Sequence, residues 1–320
     1  MPIVNAECVC NHGPDKGRFQ VWGTTLSQRF FPGFHTEASK RIMRTLLPAV
    51  AAPVSAIATV PVRRSIADLL APLDRMAANC PSLVANHEAR FSSGGQAYSL
   101  PRYIFLGPKG GNDSIRIGLF AGVHGDEPEG VHALVRFLTL LGYNPELAAG
   151  YCLFVYPVCN PTGFEDRTRH ARSGRDLNRE FWAGSSEPEV RFLEAELEEH
   201  AFQGIISLHT DDSSHGFYGF AQGATLTEHL IEPALLAAEA FLPRNQDGTI
   251  DGFRARKGII RDRCYPGVLS APPKVRLRPF EIILETPQAA PAYLKEAALV
   301  AALRTILAQY RQFIAYAPNL

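Results

Sequence analysis

Ile115-Arg116-Ile117-Gly118-Leu119-Phe120-Ala121-Gly122-Val123-His124-Gly125-Asp126-Glu127-Pro128 carries a change of character halfway along. Its first half, Ile115 to Ala121, is a short apolar run that stops at Gly122, the pattern of a buried strand. A loop framed by Gly122 and Gly125 follows and holds His124 and Glu127. Pro128 then suits the first position of a helix, where its missing N–H costs nothing. Val131, Leu134, Val135, Leu138 and Leu141 fall on one face of that helix, and Gly142 is placed to close it.

The same alternation continues outward. Upstream, Ile66, Leu69, Leu70, Leu73 and Met76 recur at helical spacing from Ser65, with Asp68 and Asp74 facing outward. Tyr103 to Leu106, Tyr151 to Val158, Gly204 to Leu208 and Glu281 to Leu284 read as strands. Glu187 to His200, Thr225 to Phe241 and Pro291 to Tyr316 read as helices. Strands separated by long helical connections predict an α/β fold, with a mixed, mostly parallel central sheet and helices on both faces. This catalytic domain is expected over residues 65–320. Residues 1–64, punctuated by Pro, Gly and Ser, form an irregular N-terminal extension or small subdomain, with a short helical stretch near Glu37 to Leu47.

In such folds ligands bind beyond the carboxyl ends of the central strands. His124 and Glu127 follow one strand, His209 a second, and Glu285 a third. Catalytic zinc commonly takes three His or carboxylate ligands and leaves a position open. Two ligands close in sequence make a local chelate, and one distant ligand ties two strands together. Zinc lowers the pKa of bound water and polarises a carbonyl, and a carboxylate beside that water can take its proton. His124, Glu127 and His209 are therefore the candidate ligands for one zinc ion, and Glu285 the candidate base.

Five segments, in order, carry a resemblance: Gly122 to Glu127, Asn160-Pro161-Thr162-Gly163-Phe164, Gly174 to Phe181, Ser207-Leu208-His209-Thr210 and Ile283-Leu284-Glu285-Thr286-Pro287. Together they resemble the zinc carboxypeptidase (carboxypeptidase A-like) family, including its succinylglutamate desuccinylase/aspartoacylase branch, over about Ser65 to the C-terminus. The resemblance implies the three zinc ligands and the Glu285 base just named. It further implies that Asp176 orients the first histidine, since such partners fix the imidazole tautomer. Asn178 and Arg179 would grip a substrate carboxylate, a task suited to a guanidinium fork. Arg169, or failing it Arg172, would stabilise the oxyanion. A tyrosine that closes over substrate would be Tyr265 or Tyr218. Asp211 to Gly216 is unusual after a ligand position. His215 there reads as a loop residue, with a fourth ligand or second base as the alternative, and Asp212 as a solvated turn or a reader of a cationic group.

The 320 residues are 46% hydrophobic, enough for one large core, and Lys+Arg and Asp+Glu balance at 32 each. A balanced chain with no basic block offers no footprint for nucleic acid or an anionic membrane. Leu46 to Val62, its most apolar segment, is broken by prolines and falls short of the ~20 residues of a span. Six irregularly spaced cysteines read as thiols of a cytoplasmic protein. The Cys8–Cys10–His12 cluster reads as part of a loose terminus, with metal binding as the alternative. The reaction expected is hydrolysis of a C-terminal peptide or amide bond in a small peptide through zinc-bound water. The alternatives are deacylation of an N-acyl amino acid with a free carboxylate and, in another class, an inactive binding protein on the same fold. Oligomeric state is not written in the sequence.

Overall fold

The computed structural model describes residues 63–223, 227–261 and 264–316. Apart from Arg63 and Arg64, the expected N-terminal extension, including Glu37 to Leu47 and the Cys8–His12 cluster, lies outside the described residues. The described residues belong to one compact unit, residues 61–320.

The strands are β1 (Leu83–Asn86), β2 (Arg90–Ser93), β3 (Gln96–Ser99), β4 (Arg102–Leu106), β5 (Ile115–Ala121), β6 (Tyr151–Tyr156), β7 (Gly204–Asp211), β8 (Tyr218–Gly223), β9 (Thr249–Ile250), β10 (Phe253–Arg256), β11 (Ile259–Arg261) and β12 (Phe280–Pro287). The main sheet runs β1-β4-β6-β5-β7-β12-β8-β11-β10-β9, and β2 and β3 pair separately as a hairpin. Its centre, β6-β5-β7-β12, is parallel, and antiparallel pairs flank it at β4–β6 and β12–β8. The helices are α1 (Ile66–Ala77), α2 (Pro128–Tyr143), α3 (Pro161–Asp166), α4 (Pro188–His200), α5 (Thr227–Ala238) and α6 (Ala292–Tyr316). None is long and apolar enough to cross a membrane.

Strand side chains alternate between the two faces of a sheet. On one face Leu119, Ala121, Ile206, Leu208, Ile282 and Leu284 join the large core with α1, α2, α5 and α6. On the other, Phe120, Phe154, Tyr156 and Ile205 pack with Val190, Leu193 and Leu197 of α4. The mixed sheet, parallel at its centre and with helices on both faces, is therefore present.

Several local expectations change. The edge strand β1, the hairpin strands β2 and β3 and the outer strands β8–β11 are additional; they are short and lack long apolar runs. Strands β7 and β12 run on through His209 and Glu285. Gly142 does not close its helix, which ends at Tyr143. A Cβ on Gly142 would lie 2.5 Å from Met76 Sδ, so the glycine lets α1 approach α2. Asp74 does not simply face outward: it accepts from Tyr103 Oη at 2.6 Å and lies 3.0 Å from His87 Nε2.

Glu196 links α4 to the sheet. Its two oxygens accept from Arg102 Nη1 at 2.8 and 2.7 Å, and Oε2 also accepts from Tyr156 Oη at 2.6 Å. Burial raises the Glu196 pKa, but His200, Tyr156 and Arg102 overcome this and hold it down at about 2. A carboxylate so depressed stabilises the fold above its ordinary value of 4.5, and that contribution is lost as pH falls toward about 2. Glu196→Gln is expected to cost roughly 3 kcal/mol in urea unfolding at neutral pH, because Arg102 loses its buried partner. The penalty should shrink as the measurement is taken below pH 4.5.

Candidate active site

The loop after β5 is shaped by backbone contacts. Gly122 sits at φ +62°, a left-handed conformation that suits glycine. Its carbonyl accepts from Asn160 N at 2.8 Å, and Val123 O accepts from Asn160 Nδ2 at 3.2 Å. Asn160 also caps α3, its Oδ1 accepting from Gly163 N at 2.9 Å. Gly125 lies flat against that turn: a Cβ there would be 2.0 Å from the Gly163 carbonyl carbon and 2.2 Å from Phe164 N.

This loop presents His124 and Glu127 to His209 on β7. Glu127 Oε1 lies 2.6 Å from His124 Nδ1, and Oε2 lies 3.0 Å from His209 Nδ1 and accepts from Thr210 N at 3.0 Å. One donor atom from each residue falls within 4.8 Å of the others. All three side chains are buried, with relative exposures of 4%, 7% and 3%. Two imidazoles and a carboxylate converging in this way fit the donor set of a catalytic zinc.

Glu285 stands beside them by strand register: β12 pairs Glu285 with His209 on one side and with Tyr218 of β8 on the other. Burial pushes the Glu285 carboxyl well above its ordinary range, and the charges of Glu127, Asp211 and Asp251 push the same way. Glu127 is held low: burial opposes its charge, but His209 and His124 outweigh it. Burial also works against a charged His124 ring, yet Asp176 and Glu127 raise its pKa. For His209 burial wins and the pKa falls. A cation held by the triad would relieve the carboxylate crowding that raises Glu285.

Asp176 connects the triad to an arginine. Its Oδ1 lies 3.2 Å from His124 Nε2, and its Oδ2 accepts from Arg169 Nε at 3.1 Å. Arg169 Nη1 is 3.7 Å from Glu127 Oε1, and Arg169 lines the cavity. Arg172 is placed elsewhere. Its Nε donates to Asp166 Oδ2 at 2.8 Å and its Nη1 to Tyr98 Oη at 2.6 Å, away from the cavity wall. Arg172, expected as the alternative to Arg169 at the oxyanion, instead ties α3 to the β2–β3 hairpin and does not line the cavity. His215 is exposed and does not line the cavity.

Asn178, Arg179 and Tyr265 cluster on the cavity wall. Asn178 Oδ1 accepts from Leu269 N at 3.0 Å, which commits the oxygen and leaves the NH2 as its donor end. Arg179 Nη1 donates to Asn178 O at 2.8 Å, and its guanidinium lies 4.4 Å from the Tyr265 ring centroid. Tyr265 is partly exposed and donates to Asp251 O at 3.2 Å. Tyr218 is buried and donates to Asp211 Oδ2 at 2.9 Å, so it is fixed in the wall.

The cavity measures about 520 Å3. Residues that sequence reasoning missed also line it: Asp126, Glu129, Phe220, Asp251, Cys264, Val268, Ile283 and Lys295. Lys295 Nζ, buried, pairs with Glu129 Oε1 at 2.8 Å. Nothing in the local sequence around Lys295 marks it, because its partner arrives from the opposite end of the domain. Phe220 and Ile283 could have been found only from register, since they pair directly in adjacent strands.

With this geometry in hand, comparison with known proteins shows what the chain is similar to. Residues 113–245 match the family model described as the succinylglutamate desuccinylase/aspartoacylase catalytic domain. That segment contains the His124, Glu127 and His209 positions. The fold is that of the metallocarboxypeptidases. A candidate metallopeptidase from Shewanella baltica OS155 superposes with a TM-score of 0.65 at 22% identity, covering 76% of this chain and 92% of its own. A metallo-carboxypeptidase from Burkholderia cenocepacia gives 0.61 at 16% identity, with 78% and 70% covered. A metallo-carboxypeptidase from Pseudomonas aeruginosa, in complex with (2-guanidinoethylmercapto)succinic acid, gives 0.51 at 18% identity, with 75% and 68% covered. No curated protein sequence matches the chain. The resemblance read from the five sequence segments is thus met both in the matched domain and in the fold.

The glycine in the loop gives a direct test. Gly125→Ala is expected to cost roughly 3 kcal/mol of stability, because its Cβ meets backbone that cannot step aside. It should also abolish zinc uptake, read as metal content after loading and dialysis.

Proposed function

We propose that the chain is a zinc-dependent hydrolase that cleaves a C-terminal peptide or amide bond in a small substrate with a free carboxylate. The observation that carries this reading is the convergence of His124, Glu127 and His209, with Glu285 in register beside His209 and two arginines on the same cavity. Zinc, when bound, supplies a Lewis acid that polarises the scissile carbonyl and makes water a nucleophile near neutral pH. His124, Glu127 and His209 hold it. Glu285 takes the proton of the attacking water on its carboxylate and returns it to the leaving nitrogen as the C–N bond breaks. Arg169, held by Asp176, offers its guanidinium to the oxygen on which charge develops. Arg179 and the Asn178 NH2 hold the substrate carboxylate, which fixes where the cut falls. The Tyr265 ring, against the Arg179 guanidinium, shields that grip from water.

A second reading, deacylation of an N-acyl amino acid, is favoured by the family match over residues 113–245. It uses the same groups, with the carboxylate grip holding the amino acid half. The succinic acid derivative bound by the Pseudomonas aeruginosa structure supports a carboxylate-bearing ligand under either reading. Offering purified protein C-terminally free dipeptides and N-acyl amino acids side by side separates the two. We place the protein in the cytoplasm, where thiols such as the buried Cys159 stay reduced.

Glu285→Gln should bind zinc as the wild type does and lose ~10²–10⁴-fold in kcat. Retained turnover would remove Glu285 from the role of base. Arg169→Ala should lower kcat by ~10²–10³-fold, whereas Arg172→Ala should leave it close to wild type. A wild-type chain that takes up no zinc would move the protein to the class of binding proteins on a hydrolase fold.

A further inference from the structure

Arg64, at the start of the compact unit of residues 61–320, reaches the loop that carries His124 and Glu127. Arg64 Nη1 donates to the Gly125 carbonyl at 2.7 Å, across 61 residues of sequence. Its backbone N–H donates to Glu165 O at 3.1 Å, and its guanidinium lies 5.1 Å from the Phe164 ring centroid. Arg64 is thereby fixed on α3, the helix whose cap Asn160 holds the loop from the other side.

Each carbonyl from Gly122 to Gly125 has its own donor. Gly122 O takes Asn160 N, Val123 O takes Asn160 Nδ2, and His124 O faces Glu127 N at 3.4 Å. Gly125 O takes Arg64. Gly125 is buried and lies between His124 and Glu127, so rotation of its peptide would turn both ligands. One side of Gly125 is packed against Gly163 and admits no Cβ. The guanidinium restrains the carbonyl that this packing leaves free to turn.

We propose that Arg64 is a positioning residue for metal binding: it clamps the Gly125 peptide and so sets the mutual geometry of His124 and Glu127. Arg64 lies outside the family-matched residues 113–245, and neither the matched domain nor the catalytic roles above assign it one. The proposal rests on the zinc-hydrolase reading. Its neighbour Arg63 does a different job, with Nε 3.2 Å from Asp166 and a side chain 54% exposed.

The test measures zinc affinity of the full chain by competition with a chromogenic chelator, alongside thermal melting and steady-state kinetics. Arg64→Met, which keeps the aliphatic stem, should weaken zinc binding ~10–100-fold, the usual effect of losing a group that orients a ligand. Arg64→Lys, which keeps one donor, should recover part of that loss, and Arg63→Met should bind zinc as the wild type does. At saturating zinc, kcat should fall more than KM changes, since Arg179 still holds the carboxylate. If Arg64→Met fails to fold, Arg64→Leu, which likewise has no donor, takes its place in the same comparison. Unchanged zinc affinity in whichever of these donor-free variants folds overturns the proposal. An equal loss in Arg63→Met also overturns it, because the effect would then be general disturbance. A wild-type chain without zinc affinity removes the hydrolase reading itself, an outcome visible before any variant is compared.

Discussion

The carboxylate of Glu127 is the point on which the site depends. It is almost fully buried, and a buried charge survives only when its oxygens are met by donors or a cation. Here Oε1 meets His124, and Oε2 meets both His209 and the Thr210 N–H. These contacts join a loop after β5 to the end of β7. They also bring a second carboxylate, Glu285, close enough for like charge to add to burial in raising its pKa. A site with two neutral-capable imidazoles and crowded carboxylates gains most from a divalent cation, and the rest of the architecture keeps that arrangement from relaxing.

The restraints work in layers. Asp176 holds the far nitrogen of His124 and, through its other oxygen, the Arg169 guanidinium. Asn160 fixes the loop backbone while capping α3. The sheet fixes His209 and Glu285 by register, and the face opposite theirs is packed with Ile206, Leu208, Ile282 and Leu284. The apolar face thus sets the height and direction of the polar one.

The convergence of the candidate site residues was legible in the sequence where residue type and position coincide. His124, Glu127, His209 and Glu285 each follow an apolar run, and such runs report buried strands directly. The four strands of the parallel centre were readable for the same reason. Short edge strands such as β9 and β10 were not, because two to four residues carry no period. Contacts between remote side chains were also invisible. Lys295 pairs with Glu129, Asp74 accepts from Tyr103, and Arg172 turns to Asp166 and Tyr98. Arg169 and Arg172 lie three residues apart in one loop, and only the fold decides which of them faces the cavity. Gly142 shows the converse: a glycine at a plausible helix end serves helix packing instead.

The alternation of side chains along β7 and β12 also bears on how such a protein can change over generations. His209 and Glu285 share a face with Ser207 and Ile283, while Leu208 and Leu284 beside them point into the core. Loss or gain of a single codon inside either strand would exchange the two sets, turning the ionisable groups into the apolar core and the aliphatic ones toward the cavity. Length variation is therefore excluded from the strands and directed into the connections beyond them, such as the chain between β8 and β12 that supplies Asp251, Cys264, Tyr265 and Val268 to the cavity. The cavity wall can vary there by insertion and deletion while His124, Glu127, His209 and Glu285 stay out of reach of the same events.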